Sequence, residues 1–149
     1  MAKAGTREKQ FIDLCNKIDN KLLSGKISFS NGEVYVSVDN SIILENEIIL
    51  IEIDASNQAK LVSGQYTLLN ILQDNPTSEI DEEKALIFFV IHCYNKYNPE
   101  RSKKNFRLIN REAFNNKGLK YGSVHIDDII DDTVNTREKL LSIINENIC

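Results

Sequence analysis

The sequence predicts one α/β domain in which helices cover a central sheet on both sides. Two patterns predict this class. Short runs rich in β-branched residues alternate with longer segments of helical periodicity, and the run ALIFFVIHC, residues 85–93, is typical of a fully covered strand. At 149 residues the chain has the length of a single domain, 1–149, with a core that needs no disulfide or metal. Strands grouped on one sheet between helices give three layers.

The elements expected in the first half are a helix, a three-stranded meander and a second helix. Helical spacing of apolar residues and a Ser-Gly stop define the first helix, and Asn31-Gly32 is a strong two-residue hairpin signal. That hairpin would pair Ile27 and Phe29 with Val34 and Val36. In chain order we expect a helix over 6–23, strands over 26–30, from the hairpin through Asp39 towards Leu44, and over 48–54, then a helix over 58–73.

The second half is expected to add the covered strand 85–93, which would pair in parallel with a meander strand after the helical crossover. The basic stretch after it fits either a strand or a helix. A last strand over 121–126 and a helix over 127–147 close the chain. Gly64 inside the second helix predicts close packing on the sheet, since glycine there costs about 1 kcal/mol against alanine.

Composition indicates an ordinary soluble protein of a reducing compartment. The hydrophobic fraction is 42% and the charged fraction 27%. The three cysteines, Cys15, Cys93 and Cys149, are scattered and form no CxxC pair, which argues against both a disulfide framework and a zinc ribbon. No signal-peptide core or membrane-length apolar run is present, so we expect a cytoplasmic protein that does not insert into a membrane.

Charge is distributed unevenly along a chain whose net charge is −4. Residues 96–120 hold eight basic and two acidic side chains, net +6, which leaves −10 on the rest. Such asymmetry is compatible with a local anion-binding face on an acidic body, and equally with a solvated loop. The candidate phosphate-binding residues within this stretch are Lys96, Arg101, Lys103, Lys104, Arg107 and Arg111.

Three carboxylates lie at strand ends within residues 33–60. Asp39 follows the alternating valines of one run, and Glu52 and Asp54 close the next, on the same face of their strand. If the two runs are neighbours, the three acids converge on one edge of the sheet. The alternative is that they are solvated or capping groups, as Asp54 beside the start of the second helix would be.

These residues resemble the PD-(D/E)XK restriction-endonuclease-like superfamily, over about residues 6–93. The carriers are Asp39 in the second strand, Glu52 at the end of the third, and the following helix. The string IEIDASNQ, residues 51–58, is similar to the IEIDG..H segment of very-short-patch-repair-like members. In two places the chain departs from the pattern. Asp54 stands where the family has a lysine, and Gln58-Ala59 replaces the histidine of that subgroup.

The resemblance implies a three-layer restriction-endonuclease-like fold with an α-β-β-β-α-β core, a mixed sheet and a Mg²⁺- or Mn²⁺-dependent site. Asp39, Glu52 and the Ile53 carbonyl would hold the ion, because hard cations take oxygen ligands. Asp54 would orient water or hold a second ion. Lys60 or Gln58 would polarise the water or touch the phosphate. Gln65 and Tyr66, one turn beyond Lys60, match residue types that nuclease-like proteins carry on this helix, and packing explains them equally well.

The leading hypothesis is therefore a Mg²⁺-dependent endonuclease acting on DNA, as a dimer if it cuts both strands. The alternative is a catalytically degenerate nuclease fold used in nucleic-acid binding or assembly, and a third is an unrelated partner-binding protein. DNA against RNA, and single against double strand, stay open. Among the other candidates, His92 is more typical of a packed core histidine, the His125–Asp127 spacing is weak evidence for a metal site, and the acidic cluster 127–132 fits a helix start.

Overall fold

The computed structural model describes residues 4–149 and shows an α/β domain with a mixed four-stranded sheet flanked by helices. A short 3-10 turn, Ile126–Asp128, lies between the last strand and the last helix. The helices and strands in chain order are α1 (Ala4–Ile18), β1 (Ile27–Ser30), β2 (Tyr35–Val38), β3 (Asn40–Ile43), β4 (Glu47–Asp54), α2 (Ala59–Leu72), β5 (Ala85–His92), α3 (Glu100–Phe114), β6 (Lys120–His125) and α4 (Arg137–Glu146).

The main sheet has the strand order β3-β4-β5-β6. β3 is antiparallel to β4, whereas β4, β5 and β6 are parallel, as expected for a covered strand that follows a helical crossover. The parallel register aligns Asp54 with His92 and His92 with His125. The carboxyl ends of three strands therefore meet at one edge of the sheet.

The predicted three-stranded meander is wrong, because the expected second strand is interrupted at Asp39 and forms two separate strands, β2 and β3. β1 and β2 form their own two-stranded sheet, and of the first three strands only β3 pairs with β4. Val36 and Val38 of β2 pack in one hydrophobic core, whereas Ile42 of β3 packs in the other. The chain must therefore pass from covering one face of the main sheet to forming its edge, and Asp39 lies at that joint.

The β1–β2 hairpin is longer at its turn than the Asn-Gly signal predicted. A two-residue turn would pair Phe29 with Val34 and Ile27 with Val36, but Phe29 pairs with Val36 and Ile27 with Val38, so residues 31–34 form the loop. The Asn31 side chain accepts hydrogen bonds from the amides of residues 33 and 34. Gly32 has φ +95°, which glycine adopts without steric cost. The side-chain capping of the loop, rather than a two-residue turn, sets the register.

Two hydrophobic cores lie on opposite faces of the sheet. Neighbouring residues of β4 point alternately into each: Ile48 and Leu50 into the first, Ile49 and Ile51 into the second. The first core is closed by α2, α3 and the β1–β2 hairpin, with Phe29, Val62, Tyr66, Leu69 and Phe106. The second is closed by α1 and α4, with Phe11, Cys15, Leu140 and Ile144.

Several predicted helix features need correction. α1 ends at Ile18 rather than Leu23. Of the helix expected over 127–147, only α4 forms, because Asp131 accepts from the Thr133 amide in a local turn and Thr136 caps the helix at Lys139. Gly64 does not pack closely, since a Cβ added there meets no atom within 4 Å. No helix among residues 4–149 has the length and apolar character needed to cross a bilayer.

Candidate active site

Asp39 and Glu52 are brought together where β2 passes into β3 beside the end of β4. The backbone amide of Asp39 donates to Glu52 Oε1 at 3.2 Å, and the amide of Ile53 donates to Asp39 Oδ2 at 2.8 Å. Each carboxylate is thus fixed by the backbone of the other's strand. Of the three acids that were expected to converge, Asp39 and Glu52 meet here, because the interruption between β2 and β3 at Asp39 brings its side chain beside β4, whereas Asp54 makes its contacts elsewhere.

The two carboxyl groups are strongly coupled. Burial, and next the neighbouring charge of Asp39, raise the pKa of Glu52 to about 8. A hydrogen bond between the two carboxyl groups acts in the same direction, whereas hydrogen bonds from Gln65 and the Asp39 amide oppose it. Near neutral pH Glu52 therefore keeps its proton, and a bound cation would be the alternative means of reducing negative charge at this position.

Two further polar residues lie near this pair: Gln65, which the sequence comparison with nuclease-like proteins had noted, and Glu8, which the sequence analysis did not select. Burial and the charge of Asp39 raise the pKa of Glu8, which places this α1 carboxyl group near the pair. Gln65 of α2 donates through Nε2 to the Ser37 carbonyl at 2.8 Å and hydrogen-bonds Glu52. Tyr66, beside it, is fully buried and donates to the Leu119 carbonyl, so it has a packing role.

A sequence signal for Glu8 did exist. It lies three residues before Phe11 and seven before Cys15, on the apolar face of α1, where both of those side chains are buried. An acid at such a position requires a partner or a site. The apolar periodicity that predicts α1 does not by itself identify this charge.

The Ile53 backbone is oriented towards Asp39. In a strand the amide and carbonyl of one residue point to the same side. The Ile53 amide donates to Asp39 Oδ2, and the Asp54 carbonyl accepts from Cys93 on the opposite side. Because β3 pairing begins at Asn40↔Ile51, Ile53 lies beyond the antiparallel ladder, and strand geometry directs its carbonyl towards the Asp39 side.

Asp54 makes its contacts on the β5 side of β4. Its side chain is only 12% exposed, and its oxygens accept from the Ser56 amide and hydroxyl at 3.1 to 3.3 Å. Asp54 Oδ2 also lies 3.5 Å from His92 Nδ1. The side chain is therefore held between the loop before α2 and a buried histidine.

The two residues offered in place of the family lysine are exposed. Gln58 is the extended residue before α2, and Lys60 lies in the first turn. Among residues 4–149 no hydrogen bond or ion pair joins either side chain to Asp39, Glu52 or Asp54. The structure thus brings Asp39 and Glu52 together, but it leaves these two side chains in solvent.

The basic stretch is helical. Arg101, Lys104, Arg107 and Arg111 are exposed and recur at three- and four-residue spacing along one face of α3, and Lys96 is exposed in the loop before it. Lys103 differs. It is 8% exposed, and its Nζ lies 3.3 Å from Asn147 Oδ1 and 3.5 Å from Glu100 Oε1. Its ammonium group is directed into the protein.

The other candidates have local structural roles. His92 is fully buried, as expected of a core histidine, with Nε2 2.8 Å from Ser102 Oγ. His125 uses both ring nitrogens, one towards the Tyr94 carbonyl and one accepting from the Asp127 amide. Within residues 4–149 no three His, Cys, Asp or Glu side chains form a ready-made metal group. An ion at Asp39 and Glu52 would thus take further ligands from backbone, water or substrate.

Comparison with protein-family models, curated proteins and solved structures finds no match for this chain. By its structure the chain is an α/β domain, and two carboxyl groups that influence each other's protonation lie at the edge of its mixed sheet.

Proposed function

We propose that this chain is a Mg²⁺-dependent endonuclease of restriction-endonuclease-like fold that hydrolyses phosphodiester bonds in DNA. The observation that carries the proposal is the Asp39–Glu52 pair. Glu52 accepts from the Asp39 amide, Asp39 accepts from the Ile53 amide, and the pKa of Glu52 is raised to about 8. Two acids that cannot both ionise without a counter-charge are a suitable oxygen donor set for a divalent cation. Mn²⁺ satisfies the same donors.

Residues of this chain fit the ion on three counts. Asp39 and Glu52 supply carboxylate oxygens, the Ile53 carbonyl faces the same side, and Gln65 holds Glu52 in place. When bound, Mg²⁺ would neutralise charge on the phosphate and lower the pKa of a water molecule. Glu8 lies near Asp39 and can accept a proton from water or hold it by a hydrogen bond.

The DNA backbone would lie along the exposed basic face of α3, defined as Arg101, Lys104, Arg107 and Arg111, with Lys96 beside it. Phosphate contacts of this kind position a duplex without reading its sequence. Lys103 is left out of this face because its ammonium contacts Asn147 and Glu100. One chain offers one such site, so cleavage of both strands would require a homodimer.

The test is cleavage of supercoiled plasmid and labelled oligonucleotides in Mg²⁺, comparing the unmodified chain with Glu52→Gln. Glu45→Gln is the matched control, since Glu45 is an exposed turn residue before β4. We expect Glu52→Gln to lower the rate at least a hundredfold and Glu45→Gln to leave it unchanged. Cleavage that survives Glu52→Gln in a preparation free of host nucleases would overturn the assignment.

A second candidate function is a nuclease-like module that binds without cutting. The observation favouring it is Asp54, which occupies the usual lysine position and is held by Ser56 and His92. Calorimetric titration with Mg²⁺ and Mn²⁺ separates the two functions. If the chain has no metal site, its titration with either ion gives no heat of binding that depends on Asp39 or Glu52. The Asp39→Asn and Glu52→Gln variants would then give the same titration curve as the unmodified chain.

A further inference from the structure

A continuous series of contacts runs from Asp54 to the first turn of α3. Asp54 Oδ2 lies 3.5 Å from the buried imidazole of His92, and the Tyr97 ring stacks on that imidazole with centroids 4.0 Å apart and planes at 17°. The Arg101 guanidinium lies over the Tyr97 ring, 5.0 Å from its centroid. Arg101 is thereby fixed relative to the carboxylate edge of β4.

The loop between β4 and α2 holds Arg101 from the other side. Arg101 Nη1 donates to Asn57 Oδ1 at 2.9 Å. Asn57 follows Ser56, which is itself bonded to Asp54. The guanidinium is thus located between an aromatic face and a neutral amide, both tied to the end of β4.

Arg101 keeps its charge available. Among residues 4–149 it forms no ion pair with an acid, whereas Arg111 of the same helix pairs with Glu112 and Lys103 with Glu100. Only one of its five N–H donors is used by Asn57. A planar guanidinium held on an aromatic ring is preorganised to donate two parallel hydrogen bonds to a phosphate.

From these contacts we propose that Arg101 is the anchor for the substrate phosphate that lies next to the carboxylates, with Tyr97 and Asn57 as positioning residues. This inference rests on the proposed function, because it assigns the phosphate group of that substrate. It also separates Arg101 from the rest of the α3 basic face. Arg101 and Arg111 are about 15 Å apart along the helix, so a ligand of two nucleotides cannot reach both.

The experiment compares a fluorescein-labelled dinucleotide with a labelled 20-mer duplex, binding to each variant in Ca²⁺ and in EDTA. Arg101→Gln should weaken dinucleotide binding about tenfold, and Arg101→Lys should restore it only in part, since lysine lacks the fork and the stacked plane. Lys117→Gln, the matched control at an exposed lysine beyond the end of α3 and outside its basic face, should leave the binding of both probes unchanged.

The positioning residues have their own readout. Tyr97→Phe keeps the ring and should bind as the unmodified chain does, whereas Tyr97→Leu and Asn57→Ala should each weaken the dinucleotide several-fold with the Arg101 charge still present. Asn57 is exposed, so its variant tests the idea even if Tyr97→Leu fails to fold.

The outcomes distinguish the anchor from the nuclease assignment. Equal dinucleotide affinity for Arg101→Gln and Lys117→Gln would overturn the anchor even if Glu52-dependent cleavage is observed. A selective loss in Arg101→Gln without any cleavage would support the anchor and leave the nuclease assignment wrong. Absence of binding to either probe would overturn both.

Discussion

At the scale of single residues, the Glu52 carboxyl group joins burial, a neighbouring acid and fixed hydrogen bonds in one position. Its pKa is raised to about 8, first by burial and then by Asp39. An ionised Glu52 would be repelled by the charge of Asp39, and either a proton or a cation removes this repulsion. The protonation of this pair should therefore be visible in the stability of the fold before any substrate is known.

We predict that, in EDTA, the protein loses stability as pH rises from 5 to 8. In the unfolded chain the Glu52 carboxyl group has its ordinary pKa of 4.5, whereas in the folded protein its pKa is about 8. Between these values the folded state binds more protons, so raising the pH disfavours folding. The melting temperature in differential scanning fluorimetry should fall by several degrees over this range, and Glu52→Gln should reduce the fall.

Addition of Mg²⁺ supplies the control for this prediction. A cation that replaces the proton stabilises the folded state more at pH 8 than at pH 6, because binding must displace the proton at the lower pH. The thiols of Cys15 and Cys93, with pKa values raised to about 12 and about 11, titrate above this window. A melting temperature that rises from pH 5 to 8 in EDTA would contradict the assigned protonation of Glu52.

Site residues at the ends of strands could be predicted from the sequence, whereas site residues on helices could not. Asp39 and Glu52 were found because carboxylates at the ends of apolar strands are unusual. Glu8 and Gln65 lie on helices, where polar residues are common, and their role depends on how α1 and α2 pack against the sheet. A pattern in one dimension cannot give that rotation and position.

At the scale of elements, strand types were more predictable than strand partners. Residues 48–54 and 85–93 were expected as strands, and β4 and β5 match them closely, because apolar β-branched runs leave little choice. The division at Asp39 was not predicted, since the alternating valines run up to Val38 and the apolar residues of β3 follow with no glycine or proline between the two strands. The division is determined by tertiary packing, because β2 packs in one hydrophobic core and β3 packs in the other.

We predict opposite effects for alanine at two glycines. Gly64 is exposed in α2 and a Cβ there meets nothing within 4 Å, so Gly64→Ala should stabilise the fold by about 0.5–1 kcal/mol through helix propensity. A Cβ at Gly122 of β6 would lie 2.3 Å from the Asn147 carbonyl oxygen, so Gly122→Ala should destabilise it by about 1–3 kcal/mol.

Urea unfolding measures both glycine variants. The slope of the free energy of unfolding against urea should stay constant while the midpoint moves up for Gly64→Ala and down for Gly122→Ala. Loss of stability in Gly64→Ala would mean that α2 packs more tightly at this point than the structure shows.

At the scale of the whole molecule, an acidic body carries one basic helical face. The net charge is −4, yet α3 exposes Arg101, Lys104, Arg107 and Arg111 at helical spacing. The sequence could give the charge excess of residues 96–120 but not its arrangement, because strand and helix were both compatible with that stretch. Only the helix places four of the six candidates together and directs Lys103 inward.

The last prediction concerns the salt dependence of DNA binding by this face. Each phosphate neutralised on duplex DNA releases condensed counterions, so four contacts give a slope of log K against log salt of roughly −3.6. Lys104→Gln with Arg107→Gln should flatten the slope by about 1.8, and should weaken different sequences alike because phosphate contacts carry no base information. Lys103→Gln is the matched comparison. It should leave the slope unchanged and lower stability, since its Nζ contacts Asn147 and Glu100. Fluorescence anisotropy of a labelled duplex at several salt concentrations measures the slopes. An unchanged slope in the double variant would remove this face from DNA binding, and a flattened slope in Lys103→Gln would show that its ammonium group turns outward to the phosphate.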